Sequence, residues 1–588
     1  MARGPRGGAA GGGSAGATYY EIQDFRLGMD LRKDAMTAPA GTLRMLQNAH
    51  ITPGGEIEKR PAFVPWCNAP SGTMGLAAIN TNVYAFVSGG GGISAPPPDG
   101  SAPGVVSIPQ PQSAIDLTNN GLAYAMISDG TGGTTPVQGN VLQIRALPNG
   151  SVSGMALPLT NGMRLIGTDV GECYVSTATD AYNYTVTGNA QVAYPSSAIG
   201  PVISGVFPSK LLDWDTFNGQ IYATFLGTDG QTYHYYNGVA VPEANGKGSN
   251  VRTYKEKMWS LGGRNLYFSS VGDPTLWENP SSDAKGNVAA NGSGLINIGS
   301  NDSDSENLLA MEVYYDKMAI FSPLSCQLWF LDVDPSLDQY MQTLRDAGTL
   351  AAQSVRQYVA QDVYFLGQHG IRSLRAMNMT MTAAVADVGS PLDPLIQELI
   401  ANKSTAEVSG VQTILSPRTG RIWMAFSDQV FVLSNFGSPN ISAWSVYLPE
   451  FGIAPNGLVF ADPYVVLLGT DQKIYRFGGP LAYDSCPVQF LTPFLSFEKA
   501  ASFKFYQGFD AVCSSNASEG WAIDMSFDPT VSPAPFDRIC LLDSPTVMDG
   551  RVPISGRSTH VQVRATHQAP GPATFAKLFI HYAMAETD

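Results

Sequence analysis

NGQIYATFLGTDGQTYHYYNG, residues 218–238, carries the pattern that sets the fold class. Ile221, Ala223 and Phe225 alternate with Tyr222 and Thr224, the period of two that belongs to a strand. Gly-Thr-Asp-Gly then breaks the run, since glycine reaches positive φ without a Cβ penalty, and a second aromatic run follows. The same theme of apolar strand, tight turn and apolar-aromatic strand recurs around Val83, Met258, Met318, Val363, Ile422 and Tyr464. From Ile221 onward these anchors lie about 40–60 residues apart, the scale of propeller blades with loops inserted in some. The expected class is therefore all-β, with an irregular β-propeller of about six blades over residues 67–480.

Composition points the same way. The chain has 588 residues, enough for two or three domains. Charged residues make up only 14%, against a typical figure of about 25%, while 62 Gly and 40 Pro supply turns. The 25 Tyr, 26 Phe and 8 Trp favour strands. So few charges on a large β protein suit a surface covered in an assembly; a secreted β protein is the plainer alternative. The net charge of −15 argues against tight, static nucleic-acid binding, which needs concentrated Lys and Arg.

Three stretches leave the repeat. Residues 90–208 carry Gly and Pro runs between short strands, and read as degenerate blades or an inserted β subdomain. Residues 379–405 contain PLDPLIQELIANKSTAE, where Pro394 suits a first helical turn and Leu395, Ile396, Leu399 and Ile400 share one face. Residues 481–588 alternate apolar and polar positions in an antiparallel sheet or sandwich pattern. Residues 1–18 read as a flexible Gly-rich arm with no apolar signal segment, and no run of about 18 apolar residues predicts a membrane span.

Between arm and propeller lies DFRLGMDLRKDAMTAPAGTLRMLQNAHITPGGEIEKRPAF, residues 24–63. Thr52-Pro53-Gly54-Gly55 is a turn, so residues 46–51 are expected to pair with 56–63 in a hairpin ending in Lys59-Arg60-Pro61. Guanidinium and ammonium groups on a rigid turn suit docking onto carboxylates of another protein; a surface hairpin with solvated charges is the plainer reading.

The string of aromatic-Asp-Phe, Gly-Met-Asp, Pro-Ala-Gly-Thr-Leu, Asn48 and Pro-Gly-Gly followed by Lys-Arg-Pro resembles the N-terminus of the tail nozzle of short-tailed bacteriophages, also called tail tubular protein B. That resemblance covers about 40 of 588 residues in motif and the remainder in layout. It implies a structural virion protein, assembled in the host cytoplasm as a ring of six around the DNA exit channel. Its partners would be a tail adaptor, fibres or other tail proteins, and passing double-stranded DNA bound without specificity. It also implies that residues 19–66 and 481–588 form a β-rich platform, with Arg26, Asp30, Arg44, Asn48, Lys59 and Arg60 as candidate assembly contacts. Reversing the charge of Arg60 is then expected to weaken assembly and leave the monomer folded.

Catalysis finds little support. Six widely spaced cysteines without a CxxC pair read as buried thiols, and six histidines form no HxxxH, so no metal site, cofactor or catalytic residue is assigned. Asp302, Asp304 and Glu306 place oxygens on alternate residues, but without the central Gly and closing acid of a Ca²⁺ loop they read as an acidic, solvated channel loop. The alternative function is a carbohydrate-binding or carbohydrate-degrading propeller, with Tyr233-His234-Tyr235-Tyr236 as a sugar-stacking loop.

Overall fold

The computed structural model describes residues 18–584 apart from 70–71, 89–103, 109–121, 127–142, 149–163, 168–170, 179–182, 188–203, 206–207, 228–229, 238, 279–291, 300–306, 359–361, 378–381, 439, 480–481, 498–500, 516–519, 532 and 547–551. The arm and the acidic loop Asp302, Asp304 and Glu306 lie outside the described residues. The chain divides into two compact units: one takes residues up to Ala62, Phe431–Leu448 and Gly479 onward, the other Phe63–Val430 and Pro449–Gly478.

In the second unit the repeat becomes a β-propeller. Every sequence anchor falls in the second strand of a sheet: Val83 in Asn82–Ser88, Ile221 in Gln220–Gly227, Met258 in Lys257–Gly262 and Met318 in Lys317–Phe321. Val363 lies in Asp362–Gly367, Ile422 in Arg421–Ala425 and Tyr464 in Tyr464–Gly469. Each is preceded by an inner strand joined to it antiparallel. In chain order the inner strands are Thr73–Ile79, Pro208–Phe217, Asn250–Tyr254, Ala310–Tyr314, Arg356–Tyr358, Gln412–Ser416 and Ile453–Ala461, which we number as blades 1 to 7. Successive inner strands are neighbours, and blade 7 returns to blade 1, so the described residues close a ring of seven. That is one more than the expected count, because the copy around Val83, a sheet of three strands, also takes a place in the ring despite the long insertion after it. Strands within residues 122–205 form a six-stranded sheet of their own, which matches the inserted β subdomain that the sequence suggests.

Hairpin chemistry explains the regular inner-to-second turns. Asn218 and Gly219 both take positive φ (48° and 75°), as do Lys255 and Glu256 (46° and 61°), the geometry whose twist matches two right-twisted strands. Apolar faces between blades then close the ring. Phe86, Leu211 and Phe225 pack blade 1 on blade 2; Phe217, Val251 and Met258 pack blade 2 on blade 3; Met318, Trp259 and Phe268 pack blade 3 on blade 4. The ring is sealed across a large sequence gap: Phe63–Asn68 pairs antiparallel with Lys473–Phe477 as the outer strand of blade 7. Phe63 ends in an aromatic nest with Trp423, Phe451 and Phe477. The expected helix is present as Asp393–Asn402, with Ile396 buried and Asp393 paired to Arg372 of blade 5 at 2.8 Å.

The first unit is two sheets packed face to face. One runs Ala49–Ile51, Ile57–Lys59, Ala573–Met584, Lys504–Ser515 and Val552–Ser558, with Thr18–Ile22 also on Ala573–Met584. The other contains Ile441–Tyr447, Met45–Gln47, Val488–Leu491, Gln562–His567, Trp521–Ser526 and Asp537–Leu542. Phe575 of the first sheet meets Phe490 (4.9 Å) and Trp521 (5.5 Å) of the second, and Phe25 fills the space beside them. Gly28 is required here: its φ is +59°, and a Cβ would stand 2.7 Å from that of Ala443. The expected hairpin forms, but shorter than residues 46–63: Ala49–Ile51 pairs with Ile57–Lys59, while Met45–Gln47 joins the other sheet.

The aromatic run 233–236 is core rather than loop. It lies in the strand Thr232–Tyr236 of blade 2, with Tyr233, His234 and Tyr235 buried, which removes it as a sugar-stacking surface. The Nε2 of His234 faces the Gly248 carbonyl at 3.0 Å, so it carries the proton, and Nδ1 accepts from the Tyr222 hydroxyl at 3.0 Å. Burial pushes the imidazole down to about 3, aided by Lys247 and opposed by the bond to Gly248. Unfolded histidine protonates near 6.5, so this contribution to stability is complete above that pH and drains away as pH falls from 6.5 toward 3. In urea unfolding of the propeller at pH 7 and pH 4.5, His234→Gln is expected to lessen the acid loss by up to about 1.4 kcal/mol per pH unit. Equal losses in both proteins would contradict it.

Candidate functional site

The propeller axis is polar. A register shift between Leu211 and Asp213 re-aims the inner strand of blade 2, and Asp213 becomes the hub. Its Oδ2 accepts from Arg252 Nη1 (2.7 Å), Asn250 Nδ2 (2.6 Å) and the Val251 amide (3.0 Å), and its Oδ1 accepts from Gln353 Nε2 (2.7 Å). Arg252 also donates from Nε to Glu312 (3.2 Å). Arg356 stands 3.7 Å from Glu312 and donates to the side-chain Oε1 of Gln353 at 2.7 Å. Blades 2 to 5 are thus tied by carboxylates, guanidiniums and an amide whose partners come from neighbouring blades.

Burial sets the charge states. It works against the Arg252 cation, but Asp213, Glu312 and Asp215 outweigh it and raise its pKa. Burial and the Arg252 charge lower that of Arg356. Burial raises Asp215, opposed by Arg252 and by the Thr253 and Thr216 amides that its oxygens accept.

A cavity of about 460 Å³ opens beside this network, lined from blades 2 to 7. Gly75 of blade 1 packs closely on blades 2 and 7, where a Cβ would fall 2.6 Å from Leu211 and 2.9 Å from Asn456. Trp214 and Phe460 supply aromatic surface; Gln357, Gln412, Asn456 and Thr413 supply amides and a hydroxyl. Gln412 and Asn456 are partly spent on backbone groups of Ala454, Leu458 and Leu211. On two lining residues, Arg252 Nη2 and Thr413 Oγ1 are buried without a partner among the described residues. Sequence reasoning missed this site, although a signal existed: each of Asp213, Arg252, Glu312, Arg356, Thr413 and Asn456 precedes its blade anchor by six to nine residues.

The six candidate assembly residues all lie in the first unit, and most turn inward. Arg26 is exposed and paired with Asp24 at 2.6 Å. Asp30 accepts from Arg32, whose hydrogen bond holds its carboxyl below the usual range. Arg44 braces a loop through the carbonyls of Asp30 and Lys33. Asn48, Lys59 and Arg60 are buried. Asn48 takes φ +53°, which Asn tolerates, and its Oδ1 accepts from Arg60 Nε and the Leu448 amide at 2.9 Å each. Arg60 pairs with Asp484 at 3.0 Å, and Lys59 donates to the carbonyls of Asp484 (2.6 Å) and Ala569 (2.7 Å). The expected outward cationic tip is therefore an internal clasp: a desolvated cation needs its donors filled, and these fill them within the chain.

Among the described residues no three His, Cys, Asp or Glu side chains gather in a metal-binding group. Cys326, Cys486 and Cys513 are buried thiols, and Cys67 and Cys540 are half-buried. No family model and no curated protein matches the chain. Among solved structures it is similar to a protein described as a 6-phosphogluconolactonase from Bacteroides uniformis, at 13% identity and TM-score 0.30, over 56% of this chain and 91% of that one. It is also similar to Hsv2 of Kluyvelomyces marxianus, at 7% identity and TM-score 0.27, over 50% and 74% of the two chains. A third, described as a 6-phosphogluconolactonase from Bacteroides fragilis, has 10% identity and TM-score 0.29, over 56% and 90%.

Removing one partner from a buried ion network strands the other. Asp213→Asn is expected to destabilise the propeller by about 3 kcal/mol, and the double variant Asp213→Leu/Arg252→Met by less. Urea unfolding followed by tryptophan fluorescence measures both; an unchanged midpoint in Asp213→Asn would show that the network holds nothing together.

Proposed function

We propose that this chain is a structural subunit of the tail nozzle of a short-tailed phage, forming a ring of six that extends the DNA channel below a tail adaptor and anchors other tail proteins. The observation that carries the reading is the construction of the first unit. Residues 24–62, which bear most of the resemblance to nozzle proteins, are built into the same pair of sheets as residues 482–584 and the strand Ile441–Tyr447, while the propeller takes most of the chain between them. A β-propeller with a second β unit made from both ends of the chain is the layout that the resemblance implies.

Charge and chemistry support it further. A net charge of −15 repels phosphates, as a conduit for sliding DNA needs. The carboxylates at the propeller axis are engaged with guanidiniums, amides and backbone N–H groups, an arrangement that braces blades. In this reading ring closure comes from head-to-tail contacts repeated around a six-fold axis. The alternative of a carbohydrate-binding propeller draws on one feature, the axial cavity, and the two are not exclusive. Negative-stain microscopy of the purified protein mixed with its cognate adaptor is expected to show six-fold rings seated on the adaptor. Persistent monomers with the adaptor ring left bare would overturn the proposal.

A further inference from the structure

We propose that the axial cavity binds a neutral, polyhydroxylated ring, a saccharide unit, with Trp214 as its aromatic platform and Gln357 as a polar anchor. The cavity volume of about 460 Å³ lies within the range of about 300–1,000 Å³ common to small-molecule sites. Its lining combines aromatic surface with side-chain amides and a hydroxyl, which matches a ring having an apolar face and hydroxyls around its rim.

Charge decides against the other ligand classes. Three carboxylates (Asp213, Asp215 and Glu312) surround two guanidiniums, so an anion entering here meets an excess of negative groups. Both Asp215 oxygens accept backbone N–H groups, and both Glu312 oxygens already accept, one from Val313 and one from Arg252, so a cation finds poor ligands. Apart from guanidinium donors of Arg252 and Arg356, which a hydroxyl oxygen can accept, what remains uncommitted is neutral. The Gln357 side-chain amide makes no hydrogen bond to the described residues, and Thr413 Oγ1 is buried without one. Buried polar atoms left unpaired are costly, and a hydroxyl, which both donates and accepts, is the group best suited to such a mixture. The inference is independent of the nozzle reading, since either protein–protein assembly or saccharide binding can fail alone.

Isothermal titration of the full-length protein with D-glucose, D-galactose, N-acetyl-D-glucosamine, inorganic phosphate and acetate tests it. Binding of at least one of the sugars is expected, and of neither anion. Gln357→Leu is expected to weaken that binding about tenfold, and Trp214→Leu by at least as much. Gln357 has no side-chain partner among the described residues to lose, so its variant should fold normally, as circular dichroism will check. Arg418→Ala, which removes an exposed pair with Asp462, should bind as the parent does. Silence toward all three sugars, stronger binding of phosphate or acetate, or sugar binding unaltered in both cavity variants would each overturn the proposal.

Discussion

The burial of Arg60 is a strong constraint on the first unit. A guanidinium without solvent contact is tolerated only when its donors find partners, and the chain supplies Asn48 to Nε and the Pro61 carbonyl and Asp484 to Nη1. Asn48 must then sit at positive φ with its side chain turned inward, where it also takes the Leu448 amide and donates to the Pro487 carbonyl. Lys59, the last residue of the preceding strand, repeats the demand, and burial lowers its pKa despite Asp484 and Cys486 nearby. Segments hundreds of residues apart are thereby held to one geometry, and the chain departs at Phe63 to begin the outer strand that seals the propeller.

The propeller depends on a different economy. Its blades are joined by apolar faces on the outside and by ions at the axis. The apolar contacts scale with area and carry most of the stability. The axial ions add direction, because Asp213 can satisfy Arg252, Asn250 and Gln353 together only when blades 2, 3 and 5 are in one register. Buried ion pairs are weak sources of net stability and better sources of registration, which suits a ring of similar blades that could otherwise slip.

Much of the fold was legible in local pattern. Each strand-turn-strand anchor fell in the second strand of a blade, because period-two alternation and turn residues are local properties. The helix was legible for the same reason, with Pro394 near its start and Ile396 on its buried face. The blade count was not, since the long insertion parts the copy around Val83 from the rest. Nor was the inward turn of Lys59 and Arg60, whose partners Asp484 and Ala569 lie more than 400 residues away. The axial site was hidden likewise: single polar residues from different blades mean little until the ring brings them together. Tyr233, His234 and Tyr235 misled because aromatic and polar residues look alike on a loop and in a core whose polar atoms are satisfied from within.

Whether residues 24–63 act as an internal clasp or an outward docking tip is decided most directly by thermal unfolding of monomeric Arg60→Glu. The clasp predicts a first unit destabilised by about 3–5 kcal/mol, with a clearly lowered midpoint before any assembly takes place. A monomer that melts as the parent does, and fails only in forming rings or binding the adaptor, would contradict it.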